Sequence, residues 1–284
     1  MRTKGRFAMN VMRRRVVQAA LVASGLSMTV SPVAAGFPLS PLTRCAPDAV
    51  VAGTVCLDKY EASVWRVPNP TTTNAGLVRR IQLGRATRAD LTAAGATQLG
   101  TASHDDYAPC TDDGQNCAND IYAVSLPSVL PSMFVDWFQA QEACVNAGKR
   151  LPTNAEWQVG ANGTPDTGGS DNGTTDCNTD FLTRTITPTG SRAGCVSSRG
   201  AFDMVGNVVE WVADWVPVST ACPGWGGSSD DLMCLSGAST TAHGPAALLR
   251  GADNGGFVQA GPLAVQAAFG PSVWGPTVGF RCAR

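Results

Sequence analysis

The stretch Gly148–Trp157, with the sequence GKRLPTNAEW, marks the start of a helix. Thr153 and Glu156 have the spacing of a capping box, in which each side chain hydrogen-bonds the backbone N–H of the other residue. Trp157 follows at a position that would face a core, where its large ring buries much apolar surface. We therefore expect a helix that begins after Thr153 and is anchored by a buried tryptophan.

The residues on either side of this stretch predict the fold class. Upstream, Ser132 can cap another helix that Gly148 ends. The apolar stripe of that helix would be Phe134, Trp137, Phe138, Cys144 and Val145. Residues 68–120 are rich in small and polar residues and predict loops and short strands, and the chain after residue 195 predicts short strands and turns. The sequence therefore predicts one loop-rich α+β domain.

The composition limits the function classes. The chain has 284 residues, of which 44% are apolar and 15% charged, which weighs against disorder and against a coiled coil. The 2 histidines, His104 and His243, weigh against a His-rich metal site. The scarcity of lysine weighs against a basic groove for nucleic acid, and we expect no nucleic-acid partner.

The first 35 residues have the pattern of a signal peptide. A basic region at Arg13–Arg15 precedes an uncharged apolar stretch, and Val33–Ala35 offers small residues for cleavage after Ala35. This segment holds 6 of the 21 basic residues and none of the 22 acidic ones, so cleavage leaves 15 basic and 22 acidic residues, a net charge of −7. We expect an exported protein without a transmembrane anchor, and a Pro-rich linker at residues 36–55.

The ten cysteines all follow the predicted cleavage site, and an even number in an exported chain indicates up to five disulfides. The spacings favour local pairs, namely Cys45 with Cys56, Cys110 with Cys117, Cys177 with Cys195, and Cys222 with Cys234. Cys144 and Cys282 are left over, although the sequence alone does not fix the connectivity. A zinc site is disfavoured because no Cys-x2-Cys pair is present.

Four segments in this order resemble the formylglycine-generating enzyme, or sulfatase-modifying factor, family. They are Cys56–Glu61 (CLDKYE), Gly148–Trp157, Ala201–Trp211 (AFDMVGNVVEW) and Gly279–Arg284 (GFRCAR). The resemblance covers residues 56–284 and implies a fold related to C-type lectins, in which a Cys144–Cys282 bridge would resemble the disulfide between a helix and the last strand. The predicted organisation is a signal peptide at 1–35, a linker at 36–55 and this domain at 56–284.

The resemblance also implies roles for several polar residues. Arg281 would pair with an acidic group such as Glu156 or Glu210. The region around Asn207 resembles a structural calcium site, which makes Asn207 and Glu210 candidate Ca²⁺ ligands because a hard cation prefers amide, carbonyl and carboxylate oxygens. The other interpretation is that these two residues only hydrogen-bond the turn. Two acidic loops, residues 111–114 and 166–180, lack a complete calcium-loop pattern and are interpreted as solvated turns.

The family's catalytic thiols are missing. Formylglycine generation uses two cysteines, whose soft sulfur selects Cu(I), between an Arg-Gly-Gly turn and the final strand. The matching segment, Arg250–Val265, holds neither cysteine nor histidine. A branch of the family with a His-rich iron site is disfavoured by the two isolated histidines. We therefore expect no formylglycine activity, assign no catalytic residue, and expect neither copper nor iron.

The remaining features favour a ligand-binding protein, resembling exported lectin-fold members of the family. The segment before the terminal Gly-Phe-Arg-Cys would display aromatic and polar side chains to a protein or glycan ligand. The predicted ligand-binding residues are Asp253, Asn254, Phe257, Gln259, Gln266, Phe269, Val273 and Trp274.

An alternative function is a periplasmic metal-dependent oxidase or maturation enzyme with altered chemistry. Its candidate groups are Asp253, His243 and Glu210, but none of them has a partner at a recognisable spacing.

Overall fold

The computed structural model describes residues 44–101, 106–117, 120–180, 185–238 and 244–284. The predicted signal peptide, His104 and His243 lie outside the described residues. The helices of these ranges are α1 (Ala75–Gln82), α2 (Arg88–Ala93), α3 (Trp137–Asn146) and α4 (Asn154–Ala161), with a short 3-10 turn at Phe257–Gln259. The strands are β1 (Ala49–Ala52), β2 (Val55–Asp58), β3 (Ala62–Arg66), β4 (Thr97–Gln98), β5 (Ile121–Ser125), β6 (Val209–Pro217), β7 (Met233–Cys234), β8 (Pro245–Arg250), β9 (Val265–Gln266) and β10 (Val278–Phe280).

These strands form three sheets. A five-stranded sheet has the order β10-β6-β8-β9-β7, a three-stranded antiparallel sheet has the order β4-β3-β5, and β1 pairs with β2. In the largest sheet, β6 lies parallel to β10 and antiparallel to β8. After β10 the chain returns to β2, where Cys56 and Arg284 exchange both backbone hydrogen bonds. The predicted α+β, disulfide-stapled fold is confirmed.

The helix start at Thr153 has the predicted capping box. The Thr153 hydroxyl accepts a hydrogen bond from the Glu156 N–H at 3.2 Å, and Glu156 Oε2 accepts one from the Thr153 N–H at 2.8 Å. Trp157 is fully buried among apolar residues of β2, β6 and β8. Local sequence alone positions this helix correctly.

The start of α3 differs from the prediction. Asp136, not Ser132, is the N-cap, and it forms a capping box with Gln139. The Ser132 hydroxyl is buried elsewhere, where it accepts from the Val64 N–H and donates to the Leu99 carbonyl. Phe134 has a φ of 54° and stands before the helix. Asp136 takes the role because its carboxylate accepts a hydrogen bond from the N–H of Gln139, in the first turn of the helix, at 2.8 Å.

Residues 68–120 contain two helices that the prediction of loops and strands missed. In α1, Leu77 and Ile81 are buried on one face, at the i, i+4 spacing of a helix. In α2, Thr87 and Asp90 form a capping box. Both helices are too short for their apolar periodicity to stand out in a segment rich in small residues.

The predicted linker at residues 36–55 also needs correction where the structure describes it. Ala49–Ala52 already forms β1, which pairs with β2 in register from Ala49 opposite Asp58. The Cys45–Cys56 disulfide ties the preceding residues to the same ribbon. Ordered structure therefore begins before Cys56, because the ribbon needs both of its strands.

All ten cysteines are paired: four disulfides are the local pairs that the spacings favoured, and the fifth joins Cys144 and Cys282, the pair that was left over and that the family resemblance implied. The four local bridges close loops of 7 to 18 residues, whereas Cys144–Cys282 joins α3 to the residues after β10 across 138 positions. Such a density of disulfides is typical of proteins that fold in an oxidising compartment. No helix of the described residues is long and apolar enough to span a bilayer.

Candidate functional site

A cleft of about 450 Å³ is lined by residues of four strands of the largest sheet and by the segments between β8 and β10. Its floor is apolar and comes from Val209, Leu249 and Val278, one residue each from β6, β8 and β10. Six of the eight predicted ligand-binding residues line its walls: Asp253, Gln259, Gln266, Phe269, Val273 and Trp274. The structure thus brings together side chains that the sequence only placed in one segment.

The wall between Phe269 and Trp274 is the apolar part of the cleft. Phe269, Val273 and Trp274 are 40%, 37% and 39% exposed. The loop that carries them is held by backbone bonds, because the Trp137 N–H donates to the Pro271 carbonyl at 3.0 Å. The Trp274 ring lies 6.3 Å from that of Phe134, and its Nε1 donates to Asp112 Oδ2 at 3.3 Å. The aromatic side chains are therefore positioned but still accessible.

Other lining residues of the cleft are polar. Asp253 Oδ2 accepts a hydrogen bond from the Thr277 hydroxyl at 2.7 Å, while Asp253 Oδ1 accepts from the Gly255 N–H. Gln266 lies on β9 opposite Leu249 of β8, and Gln259 ends the 3-10 turn. Thr277 is a lining residue that sequence reasoning missed, because no local pattern links it to Asp253, 24 positions away.

Two predicted ligand-binding residues do not belong to this cleft. Asn254 is 3% exposed, and its N–H donates to the Asn207 carbonyl, so it supports the loop instead of displaying its side chain. Phe257 is 48% exposed but does not line the cleft, since its backbone is bonded to Thr179 on the neighbouring loop. A contiguous segment cannot point every side chain to one face when it turns within a few residues.

A buried ionic network lies behind the cleft. Arg281 is fully buried and donates to Glu210 through Nη2 at 2.6 Å and Nε at 2.8 Å, which confirms Glu210 rather than Glu156 as its partner. Glu156 instead pairs with Arg150 near the surface. Trp157 Nε1 donates to Glu210 Oε2 at 2.8 Å. Both oxygens of this carboxylate are therefore engaged.

Two further acids complete the network. Burial raises the pKa of Asp203 to about 6, against the hydrogen bond from Gly190 and the charge of Arg281. Burial, with the charges of Asp203 and Glu210, also raises the pKa of Glu61. Neither acid was singled out from the sequence, because only the fold brings residues 61, 203 and 281 together. In this network the guanidinium of Arg281 interacts with the carboxyl groups of Glu210, Glu61 and Asp203.

The oxygens of the predicted calcium pair are used within the protein. Asn207 Oδ1 accepts from Asn178 Nδ2 and from the Thr187 N–H, and Asn207 Nδ2 donates to Glu61 Oε2 at 2.7 Å. Glu210 faces Arg281, as described above. Calcium binding by Asn207 and Glu210 stays a prediction, and it would require these hydrogen bonds and the ion pair to be replaced.

The groups expected for oxidative chemistry are not gathered in the cleft. Every cysteine of the chain is held in a disulfide, so the structure contains no cysteine thiol. Among the described residues, the cleft is lined by neither cysteine nor histidine. Of the groups considered for altered chemistry, Asp253 lines the cleft, Glu210 is buried behind it, and His243 is outside the described residues.

Solved structures with a similar arrangement have low sequence identity to this chain. The Major Tropism Determinant P3c Variant is 18% identical, with a TM-score of 0.44 over 84% of this chain and 52% of its own. PvdO from Pseudomonas aeruginosa is 19% identical, with a TM-score of 0.42 over 83% of this chain and 82% of its own.

Sequence comparison gives a more specific result. The Serine/threonine-protein kinase Pkn1 of Chlamydia trachomatis serovar L2 (strain ATCC VR-902B / DSM 19102 / 434/Bu) is 34% identical over 90 residues, or 30% of this chain. The chain thus matches only 14% of that kinase. A family profile described as sulfatase-modifying factor enzyme 1-like domain matches residues 106–284, which include α3, α4, the Glu210–Arg281 pair and the whole cleft. The chain therefore belongs to the family of sulfatase-modifying factor enzyme 1-like domains.

Proposed function

We propose that this protein is a ligand-binding member of its family and that it binds a protein or glycan through the cleft. The observation that carries the proposal is that one cleft is lined both by the partly exposed Phe269, Val273 and Trp274 and by the polar Asp253 and Gln266. Binding sites commonly combine an apolar surface with a few fixed polar groups that orient the ligand. Accessible aromatic side chains contribute most of the energy in such contacts.

The same protein is proposed to lack formylglycine activity. A thiolate is both the nucleophile and the Cu(I) ligand in cysteine chemistry, and a disulfide supplies neither. All ten cysteines are in disulfides, of which four join cysteines that are close in the sequence and one joins Cys144 to Cys282. The pairing of all ten cysteines supports the proposal that the protein does not use the family's thiol chemistry.

We further propose that the ligand is met outside the cytoplasm. The five disulfides support this location, because they are retained in oxidising compartments. The segment that would direct export, residues 1–35, supports it through its sequence pattern alone. The acidic surface left after cleavage would repel nucleic acid and anionic lipids, and is compatible with neutral glycans or with proteins.

The decisive experiment measures binding and stability of the same variants. The non-reduced protein would be screened on an array of glycans and a panel of purified extracellular proteins, and each hit quantified by calorimetry. We expect Trp274→Ala and Phe269→Ala each to weaken a hit by roughly 2 kcal/mol, about 30-fold, because they remove central aromatic contacts. Their melting temperatures should change little, since both side chains are partly exposed.

Two control variants test whether the loss of binding is specific to residues that line the cleft. Val145→Ala changes an apolar residue that is 51% exposed on α3, away from the cleft, and should leave both binding and stability unchanged. Phe257→Ala tests the wider face predicted from the sequence, and we expect it to retain binding because Phe257 does not line the cleft. Full binding by Trp274→Ala and Phe269→Ala would refute the assignment of the cleft.

A further inference from the structure

A group of three carboxylates lies outside the cleft and outside the ionic network. Asp166, Asp230 and Asp231 each place one carboxylate oxygen within 4.8 Å of the others. They come from two loops that are distant in sequence, one after α4 and one before β7. Asp166 and Asp230 are exposed, whereas Asp231 is 2% exposed. The fold thus brings three negative charges together at the edge of the protein.

Asp231 also carries an acceptor that the described part of the chain leaves unsatisfied. Its Oδ2 accepts a hydrogen bond from the Leu263 N–H at 2.6 Å, which fixes the carboxylate. Its Oδ1 is buried and has no hydrogen-bond partner. Buried carboxylate oxygens are normally paired with a donor or an ion. A fixed carboxylate with one free, buried oxygen next to two other acids is a ready ligand for a cation.

We propose that Asp166, Asp230 and Asp231 bind one Ca²⁺ ion. Carboxylate oxygens are the ligands of hard cations, and Ca²⁺ accepts them at about 2.4 Å, so two ligand oxygens on opposite sides lie about 4.8 Å apart. Mg²⁺ requires shorter bonds, about 2.0–2.1 Å, in a near-ideal octahedron, which two loops provide less readily. Backbone carbonyls and water complete the six to eight ligands of Ca²⁺.

The proposed Ca²⁺ ion would also stabilise one wall of the cleft, because Leu232, the residue after Asp231, lines the cleft. Leu232 lines the cleft, its N–H donates to the Gln259 carbonyl at 2.9 Å, and its carbonyl accepts from the Val265 N–H at 2.9 Å. An ion shared by the two loops would hold this wall against the loop of Asp166. This part of the inference rests on the proposed function, whereas the cation site itself does not.

The test is calcium binding to the metal-stripped, disulfide-intact protein in the absence of any other ligand. Titration calorimetry with CaCl₂ up to about 10 mM should show one site with a Kd of about 0.1–1 mM, the range of extracellular calcium modules. The melting temperature should rise with calcium concentration, because the ion binds the folded state. Asp166→Asn and Asp230→Asn should each weaken binding at least about tenfold, since each removes a charged ligand.

Glu142→Gln is the matched control, because it removes one negative charge from α3, outside the cluster, and should leave the affinity unchanged. Asp166 and Asp230 are exposed, so their Asn variants are expected to fold. Absence of a calcium signal would overturn the proposal. Undiminished binding by both Asn variants would also overturn it, by placing the ion elsewhere, and so would tighter binding of Mg²⁺ than of Ca²⁺. None of these outcomes involves the cleft's ligand, so the proposed function would be judged separately.

Discussion

Replacing Glu210 with glutamine removes the charge opposite a fully buried arginine while keeping the shape of the side chain. Glu210 and Arg281 have side chains that are 1% and 0% exposed, and their nearest atoms are 2.6 Å apart. The variant leaves a cation in the interior with weaker partners, the carbonyls of Asp58 and Phe202 among them. Breaking a buried pair from one side typically lowers the free energy of unfolding by about 3–5 kcal/mol.

The expected value lies towards the lower end of that range. The carboxyl groups of Asp203 and Glu61 also interact with Arg281 and partly replace the lost partner. A glutamine oxygen can also still accept the hydrogen bond from Trp157 Nε1. We therefore expect a loss of about 3 kcal/mol, which in a domain of this size lowers the melting temperature by roughly 6–12 °C.

Glu156→Gln is the matched control because it makes the same chemical change in a solvent-exposed pair. The side chains of Arg150 and Glu156 are 42% and 19% exposed, and glutamine is also accepted at this position of a capping box. Its effect should stay below about 1 kcal/mol. Both variants would be compared by calorimetry and by urea unfolding with the disulfides intact.

The result that would refute this reasoning is a Glu210→Gln variant as stable as Glu156→Gln. Such a result would mean that Arg281 does not depend on Glu210 for its charge balance. The experiment also bears on the calcium prediction for Asn207 and Glu210. If Glu210 is an ion-pair partner, chelation should leave the difference between wild type and Glu210→Gln unchanged, whereas a calcium ligand would make that difference depend on calcium.

Two further predictions follow from the buried groups. The pKa of Asp203 is raised to about 6 in the folded protein, against about 3.9 when unfolded, so the folded state binds the proton more tightly. Relative to Asp203→Asn, the wild type should therefore gain roughly 2–3 kcal/mol in the free energy of unfolding as the pH falls from about 7.5 to about 4, measured by urea unfolding; a constant difference would contradict the raised pKa. Replacing Cys144 and Cys282 together with alanine should lower the free energy of unfolding by about 5 kcal/mol, because their bridge closes a long loop. Replacing Cys222 and Cys234, which close a loop of 12 residues, should cost about 3 kcal/mol, and an equal loss for the two bridges would contradict the loop-length argument.

The features that the sequence predicted correctly are those with local causes. The capping box at Thr153 and Glu156 depends on residues three positions apart, and the four local disulfides on cysteines separated by 7 to 18 positions. The Cys144–Cys282 bridge followed because those two cysteines were left over and because the family resemblance implied it. The predicted start of α3 was wrong because it depends on contacts between residues that are far apart in the sequence. Ser132 is a good capping residue by type, but its hydroxyl is used by Val64 and Leu99 of another layer.

The parts of the site that the sequence could not predict depend on long-range contacts. Asp166 and Asp231 lie in two loops that are far apart in the sequence. Nothing in the sequence of either loop indicates that their carboxylates lie close together. Asn254 and Phe257 lie in the segment that carries the cleft, yet the turns of the chain point them away from it. A list of residues from one segment therefore predicts that the segment lines a cleft better than it predicts which of its side chains line it.

The structure also explains why binding and stability should separate in the cleft variants. The segment between β8 and β10 is held at both ends by buried cations. Before it, Arg250 stacks 4.7 Å from the Trp157 ring and donates to the Pro262 carbonyl at 3.1 Å. After it, Arg281 is paired with Glu210. Because the side chains of Phe269, Val273 and Trp274 are only partly buried, exchanging each of them should lower the free energy of unfolding by about 1 kcal/mol or less, which is less than the expected effect of removing Glu210. Substitutions at the cleft should therefore leave the anchoring contacts of Arg250 and Arg281 in place.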